Sequence, residues 1–336
     1  MKNREENTFT LSGELKFLVA CCQSMQCKGD RVFIIDHIAD KTKEQYTTLI
    51  SLAISHGILP LVYKSIKEVS AQNESAVPPA FLAELKALYM GVSQRNMLMS
   101  AELIRIMKLL KENDIEALAF KGPTLSQMAY GDITLRQYVD LDILVNAEDA
   151  FKAGMLFTEH GHRAVKSLSL LSNAICLTAS KDFSFYSKSS NVHTELHWKL
   201  LEKNLNISIE ACNSNGECQT VTINNHPIQT LQNDMLLVYL CVHGSKHAFE
   251  RIEWISDIDR LIQSTNIDWE EAISIAENSR SNRSFLLALS LAHMLFKTEL
   301  PSSIMKQISN FDNTLQHHVL GNLNLTSNKK SDFKPS

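Results

Sequence analysis

Two aspartates separated by one residue, Asp140 and Asp142, stand in the alternating run Tyr138 to Val145. In an extended strand both carboxylates project from one face, with Leu144, while Val139, Leu141, Ile143 and Val145 share the other. Carboxylates this close repel one another and are costly to bury unpaired, and a divalent cation between them removes that cost. Mg²⁺ suits the position because it takes hard oxygen ligands and shares its shell between carboxylates and substrate phosphates. A second signal lies upstream, where the apolar run Ile115 to Phe120 ends at Lys121, Gly122 and Pro123, ahead of a short helix over Thr124 to Tyr130. Backbone N–H groups of such a turn, together with Lys121, can meet a phosphate; the structural alternative is a plain strand-to-helix turn. The third signal is the run Val192 to Trp198, in which His193, Glu195 and His197 share one face, so that Glu195 can bring a third carboxylate from a neighbouring strand. A lone D-x-D is more often a solvated strand face, and the weight rests on the three signals together.

The elements that must position these residues follow from periodicity and punctuation. Residues 12–24 and 43–56 predict helices, and Ile58 to Ile66 is a short apolar segment. A long amphipathic helix is predicted over Phe81 to Lys111, stopping at Asn113 and Asp114. Strands are predicted at 115–120, 138–145, 182–186, 192–198 and 219–223, with a helix over Ala147 to His160 capped by Asn146. Helical spacing returns at 234–247, 254–262, 269–279 and 284–297, with one more helix from Ser303. The expected organisation is a helical region over 1–94, a mixed α/β core over 95–230, a helical region over 231–321 and a disordered tail over 322–336.

Composition bounds what such a chain does. With 33 Lys+Arg against 37 Asp+Glu and 44% hydrophobic residues in 336, it is a globular mixture large enough for more than one packed unit. The net charge of −4 and the lack of a Lys/Arg block argue against nucleic acid as the main partner, which leaves room only for a local basic site. The six apolar residues Phe17 to Cys22 are too few for a secretory or membrane segment, so no membrane partner and a cytoplasmic location are expected. The seven cysteines form no C-x-x-C pair and are expected to be reduced thiols.

The ordered motifs, Lys121-Gly122, Arg136, Asp140-x-Asp142 and His193-x-Glu195-Leu196-His197-Trp198, resemble those of a bacterial nucleotidyltransferase family within the DNA polymerase β-like superfamily. The resemblance extends upstream to Arg95-Asn96 and downstream to His243, Lys246, His247, Arg251, Trp254 and Asp257. It implies an α+β fold: a nucleotidyltransferase-like mixed sheet with helices on it, flanked by the N-terminal and C-terminal helical regions. It implies transfer of an NMP group from an NTP, ATP being favoured, to a hydroxyl of a protein, sugar or small molecule, with release of pyrophosphate. Asp140 and Asp142 would hold two Mg²⁺ ions, with Mn²⁺ as the alternative. Glu195 would complete the metal site and take the hydroxyl proton, with Glu210 or Asp182 as the fallback third carboxylate. Lys121, Gly122 and Arg136 would meet the phosphates, although the superfamily usually has Gly-Ser where Lys121-Gly122-Pro123 stands. His243 and His247, at i and i+4, have the spacing of a zinc pair but no third ligand at fixed spacing. A nucleotide- or acceptor-facing role for His243, Lys246, His247 and Arg251 is expected instead, with packing as the alternative. The competing function is a non-catalytic nucleotide-binding or interaction module that retains the fold.

Overall fold

A computed structural model of the chain describes residues 11–23, 28–39, 41–170, 174–200, 218–311 and 314–326. In chain order the helices are α1 (Gly13–Gln23), α2 (Lys28–Ile38), α3 (Lys43–Ser55), α4 (Leu59–Gln72), α5 (Pro79–Glu112), α6 (Pro123–Tyr130), α7 (Ala150–Glu159) and α8 (Ala174–Ala179). They continue with α9 (Asn233–Lys246), α10 (Ile252–Ser264), α11 (Trp269–Asn278), α12 (Asn282–Phe296), α13 (Ser302–Ser309) and α14 (Thr314–Thr326). The strands are β1 (Ala117–Ala119), β2 (Asp140–Val145), β3 (His162–Ala164), β4 (Asp182–Ser187), β5 (His193–His197), β6 (Cys218–Ile223) and β7 (His226–Leu231). Two compact units result, one of Met1–Tyr89, Cys241–Asp259 and Ser284–Ser336, the other of Met90–Leu240 and Arg260–Arg283.

The first unit is helical. A capping box starts α3: the Gln45 backbone N–H donates to the Thr42 hydroxyl while the Thr42 N–H donates to the Gln45 side chain. Pro60 occupies the first turn of α4, where its missing N–H costs nothing. In α1 and α12 the apolar stripe widens until Phe17 to Cys22 and Phe285 to Ala292 are wholly buried. Helix α14 reaches Thr326, five residues into the expected tail; the remainder lies outside the described residues. No helix among the described residues is long and apolar enough to cross a membrane.

The second unit holds a five-stranded mixed sheet in the order β1-β2-β5-β4-β3. Only β2 and β5 are parallel; the other neighbours are antiparallel. One face packs against α5 and α7 through Met99, Leu103, Ile106, Leu110, Ile143, Phe157, Phe185 and Leu196. The opposite face carries Asp140, Asp142, His193, Glu195 and His197. Two strands escape the periodicity argument. Strand β3 is only three residues long, and β7 contains Pro227, which a two-stranded β6–β7 ribbon tolerates because each strand there has a free edge. The ribbon turns at Asn224 and Asn225, both with positive φ. Helix α7 begins three residues later than expected, because Ala147–Asp149 form a turn whose Asp149 N–H donates to the Asn146 carbonyl. Cys21, Cys22 and Cys241 are buried free thiols, whereas Cys218 is disulfide-bonded, against the expectation of reduced thiols throughout; Cys27 and Cys212 lie outside the described residues.

A charged clasp fixes α5 to the start of β3. Arg105 Nη2 donates to Glu102 Oε1 at 2.8 Å, and His162 Nε2 lies 2.8 Å from the same oxygen, with His162 wholly buried. Burial opposes ionisation of Glu102, but the bonds from His162 and Arg105 outweigh it and pull its pKa down from 4.5 to about 2. The clasp therefore contributes in full above pH 4.5 and loses its contribution as pH falls towards 2. Denaturant unfolding at pH 7, 4.5 and 3 should show wild-type stability falling between the last two, and Glu102→Gln should be less stable at pH 7 with a smaller fall; an equal fall in both would place the acid sensitivity elsewhere.

Candidate active site

The loop that leads into β2 is set before the strand begins. Asn96 on α5, fully buried, donates its side-chain amide to the carbonyls of Ile133 and Arg136, both at 2.8 Å. Tyr138 O–H reaches the Asn96 and Ile133 carbonyls, and Arg95 Nη2 reaches the Val139 carbonyl at 3.4 Å. Arg136 is itself buried in this loop, immediately ahead of the two aspartates. On the other side of β2, β1 is followed by Phe120 and the Lys121-Gly122 turn into α6. Gly122 adopts φ 55° and ψ −127°, a region open to glycine, and a Cβ there would meet the Asp140 carbonyl at 3.3 Å. The turn thus lies against the first residue of β2, bringing Lys121 over the strand.

Parallel pairing of β2 with β5 sets Asp140 opposite His193, Asp142 opposite Glu195 and Leu144 opposite His197. Asp142 is 2% exposed, and its Oδ1 accepts from both Lys121 Nζ and His197 Nε2 at 3.1 Å. His197 Nε2 also lies 3.3 Å from Glu195 Oε2, while its Nδ1 is 3.9 Å from Asp182 Oδ2, which Lys181 holds at 2.6 Å. Phe120 and Tyr239 of α9 wall this group edge to face, with Lys121 Nζ 5.9 Å from the Tyr239 ring centre.

The charges follow from this geometry. Burial disfavours the Asp142 carboxylate, but the Lys121 ammonium and His197 more than compensate and hold its pKa well below the usual range. Burial likewise opposes charge on Lys121 and His197, and in each the Asp142 carboxylate reverses the effect and favours the protonated form. Asp140 goes the other way: burial, then the like charge of Asp142, with Glu195 adding to it, push its pKa up despite Lys121. Burial also pushes the Tyr239 phenol up, keeping it a neutral hydroxyl.

Asp140, His193 and Glu195 offer ligand atoms within 4.8 Å of one another, and so do Asp142, Glu195 and His197. Asp142 Oδ2 is buried with no hydrogen-bond partner. A hard divalent cation fits this set, because it would satisfy that orphaned oxygen and relieve the repulsion felt by Asp140.

The second unit thus brings Lys121, Gly122, Asp140, Asp142 and Glu195 to one face, with Arg136 buried in the loop that leads into β2. Of the fallback carboxylates, Asp182 is on the neighbouring β4 and Glu210 lies outside the described residues. His243, Lys246, His247 and Arg251 belong to the first unit. There the rings of His243 and His247 lie 4.9 Å apart and both meet Trp254, Arg251 covers Trp254 at 5.8 Å, and Arg251 Nη2 pairs with Glu253 at 2.8 Å. Among the described residues no three-ligand group includes His243 or His247. Sequence reasoning did not assign roles in the carboxylate centre to His193, His197 and Tyr239. The alternation of β5 marks the two histidines as neighbours of Glu195, whereas Tyr239 lies in the apolar run 235–242 with nothing to distinguish it. A cavity of about 740 Å³ opens at the far end of β1, against Met107 and Lys111 of α5 and Pro227 of β7, and its lining includes none of Asp140, Asp142 and Glu195.

Paired carboxylates on one strand, a third on its parallel neighbour and a glycine turn with a cation beside them gather on one face of a mixed sheet. The chain belongs to the uncharacterised nucleotidyltransferase family, whose model matches residues 42–297. It is accordingly an enzyme of the nucleotidyl-transfer class. Among solved structures it is similar to the antibiotic-resistance factor ANT(2'')-Ia, at 14% identity and a TM-score of 0.41, over 59% of this chain and 98% of that one. It is also similar to an antigenic nucleotidyltransferase-like protein from Paracoccidioides brasiliensis, at 13% identity and a TM-score of 0.36, over 63% and 96% of the two chains. No curated protein matches the chain.

The ion pair at the centre has a thermodynamic signature. Lys121→Met leaves the Asp142 charge buried without its cation and should cost about 3–5 kcal/mol in urea unfolding. Adding Asp142→Asn should recover most of that loss, and a double variant no more stable than the single one would remove the pair from its central place.

Proposed function

We propose that the chain is a Mg²⁺-dependent nucleotidyltransferase that moves an NMP group, AMP from ATP in the favoured case, to a hydroxyl of a protein, sugar or small-molecule acceptor. The reading is carried by one observation: three carboxylates meet across the β2–β5 pair, and a buried oxygen of Asp142 lacks a partner. Asp140, Asp142 and Glu195 would hold the ions, with Mn²⁺ as the alternative metal. Bound there, the metal neutralises triphosphate charge and stabilises the attacking and leaving oxygens.

The remaining roles fall to the chain. A Glu195 carboxylate oxygen accepts the proton of the acceptor hydroxyl, the hydroxyl oxygen bonds to the α-phosphorus, and the α–β phosphoanhydride bond breaks as pyrophosphate leaves. Lys121 and the Gly122 turn meet the leaving phosphates, and Arg136 adds a guanidinium below them. His197, hydrogen-bonded to Asp142 and close to Glu195, holds both carboxylates in place.

One observation favours a second reading. Lys121 already gives Asp142 a cation, as in a module that binds a nucleotide without turning it over. The two separate by experiment. Wild type should bind ATP only with Mg²⁺ and release pyrophosphate once an acceptor is supplied. Asp140→Asn is the cleaner metal-ligand variant, since Asp142 also neutralises Lys121, and it should abolish both properties. Glu195→Gln should retain nucleotide binding and lose roughly 10²–10⁴-fold in turnover. Metal-dependent binding with no pyrophosphate release from any acceptor would support the binding module, and release unaffected by Asp140→Asn would refute the assignment.

A further inference from the structure

The residues opposite Asp140 continue as one row across the sheet. Asp140 pairs with His193, His193 with Tyr186, and Tyr186 with Arg163, so β2, β5, β4 and β3 each contribute one side chain to the same face. The His193 and Tyr186 rings stack at 4.7 Å and 20°, and the Arg163 guanidinium lies 5.9 Å from the Tyr186 ring centre. Asp140, His193 and Tyr186 are partly exposed and Arg163 is exposed, whereas Leu141, Thr194 and Phe185, on the opposite face, are buried. The row therefore presents an imidazole, a phenol and a guanidinium in line, starting beside the catalytic carboxylates and ending in a permanent cation.

Direction decides which reactant this row serves. In a nucleotidyl transfer the attacking and leaving oxygens lie roughly in line on opposite sides of phosphorus. Lys121 and Gly122 follow β1, on one side of β2, while β5, β4 and β3 extend on the other. With the leaving phosphates at Lys121, the hydroxyl must approach from the β5 side, over His193, Tyr186 and Arg163. Arg163 is two strands from His193 and one row further along from Glu195, roughly 12 Å at ordinary strand spacing, a distance its long side chain shortens by leaning over Tyr186. A guanidinium fork recognises phosphate oxygens in a planar, bidentate way, and its stacking on Tyr186 limits the entropy lost on binding.

We propose that His193, Tyr186 and Arg163 form the acceptor subsite, and that the acceptor is a sugar-sized polyol carrying a phosphate at the end remote from its reacting hydroxyl. This rests on the donor phosphates lying at Lys121. The test is calorimetry on the full chain, first titrated with Mg²⁺ and α,β-methylene-ATP, then with glucose 6-phosphate, ribose 5-phosphate and glycerol 3-phosphate against glucose, ribose and glycerol. At least one phosphorylated polyol should bind, its neutral counterpart at least about tenfold more weakly, the weight of one charge-assisted hydrogen bond. Arg163→Ala should remove that difference, Arg163→Lys should restore part of it, and both should keep the wild-type melting temperature and nucleotide affinity. Equal binding of charged and neutral polyols, no binding of any polyol, or undiminished phosphate preference in Arg163→Ala would overturn the proposal. So would a loss of nucleotide affinity in that variant, which would assign the row to the donor. Failure of wild type to bind the nucleotide analogue with Mg²⁺ would instead refute the underlying donor reading, a result visible before any polyol is added.

Discussion

A carboxylate taken out of water must find compensating charge and hydrogen bonds, and the centre of this protein is built to supply them to Asp142. Its Oδ1 takes a cation from the β1–α6 turn and an imidazole from β5, and the rings of Phe120, in that turn, and of Tyr239 on α9 close over them. Each partner brings its own demand. Lys121 reaches Asp142 because the turn lies close on the Asp140 carbonyl, which requires the backbone that Gly122 adopts. His197 reaches it because β5 runs parallel to β2 in one register. One buried charge thus ties together three elements that are distant in sequence.

The same arrangement makes the two aspartates chemically unlike. Asp142 is compensated by protein groups on one oxygen, whereas at Asp140 burial and the repulsion of Asp142 and Glu195 outweigh Lys121 and His193, and the residue is partly open to solvent. The residual demand for positive charge therefore falls on the open side, toward Asp140, His193 and Glu195. That is where a metal and a triphosphate would add their charges with least desolvation. The sheet extends this polarity outward: its helix-covered face is apolar, and its other face runs from carboxylates through aromatic rings to a guanidinium.

Much of this was legible in the residue order. Alternation in 138–145 and 192–198 identified the two site strands and the faces of Asp140, Asp142, His193, Glu195 and His197, because side chains on a strand project with period two. The glycine after Phe120 marked the turn, and the three- and four-residue spacing after Pro79 marked the long helix. Strand β3 was too short to show a period, and β7 carries a proline that argues against a strand wherever pairing is needed on both sides. Tyr239 had no local signal, since within an apolar helical run a wall residue and a core residue look alike.

By itself, then, the sequence determined which side chains lie on which face of each element and which of them can carry a charge or hold a metal, because those properties are local. Tertiary structure decided which strands became neighbours, and with that the register that sets Glu195 opposite Asp142 and Arg163 at the end of the His193 row. It also decided that Lys121 would pair with an aspartate, since the partner of a buried charge is chosen by whichever groups the fold brings within a few ångströms, not by nearness along the chain.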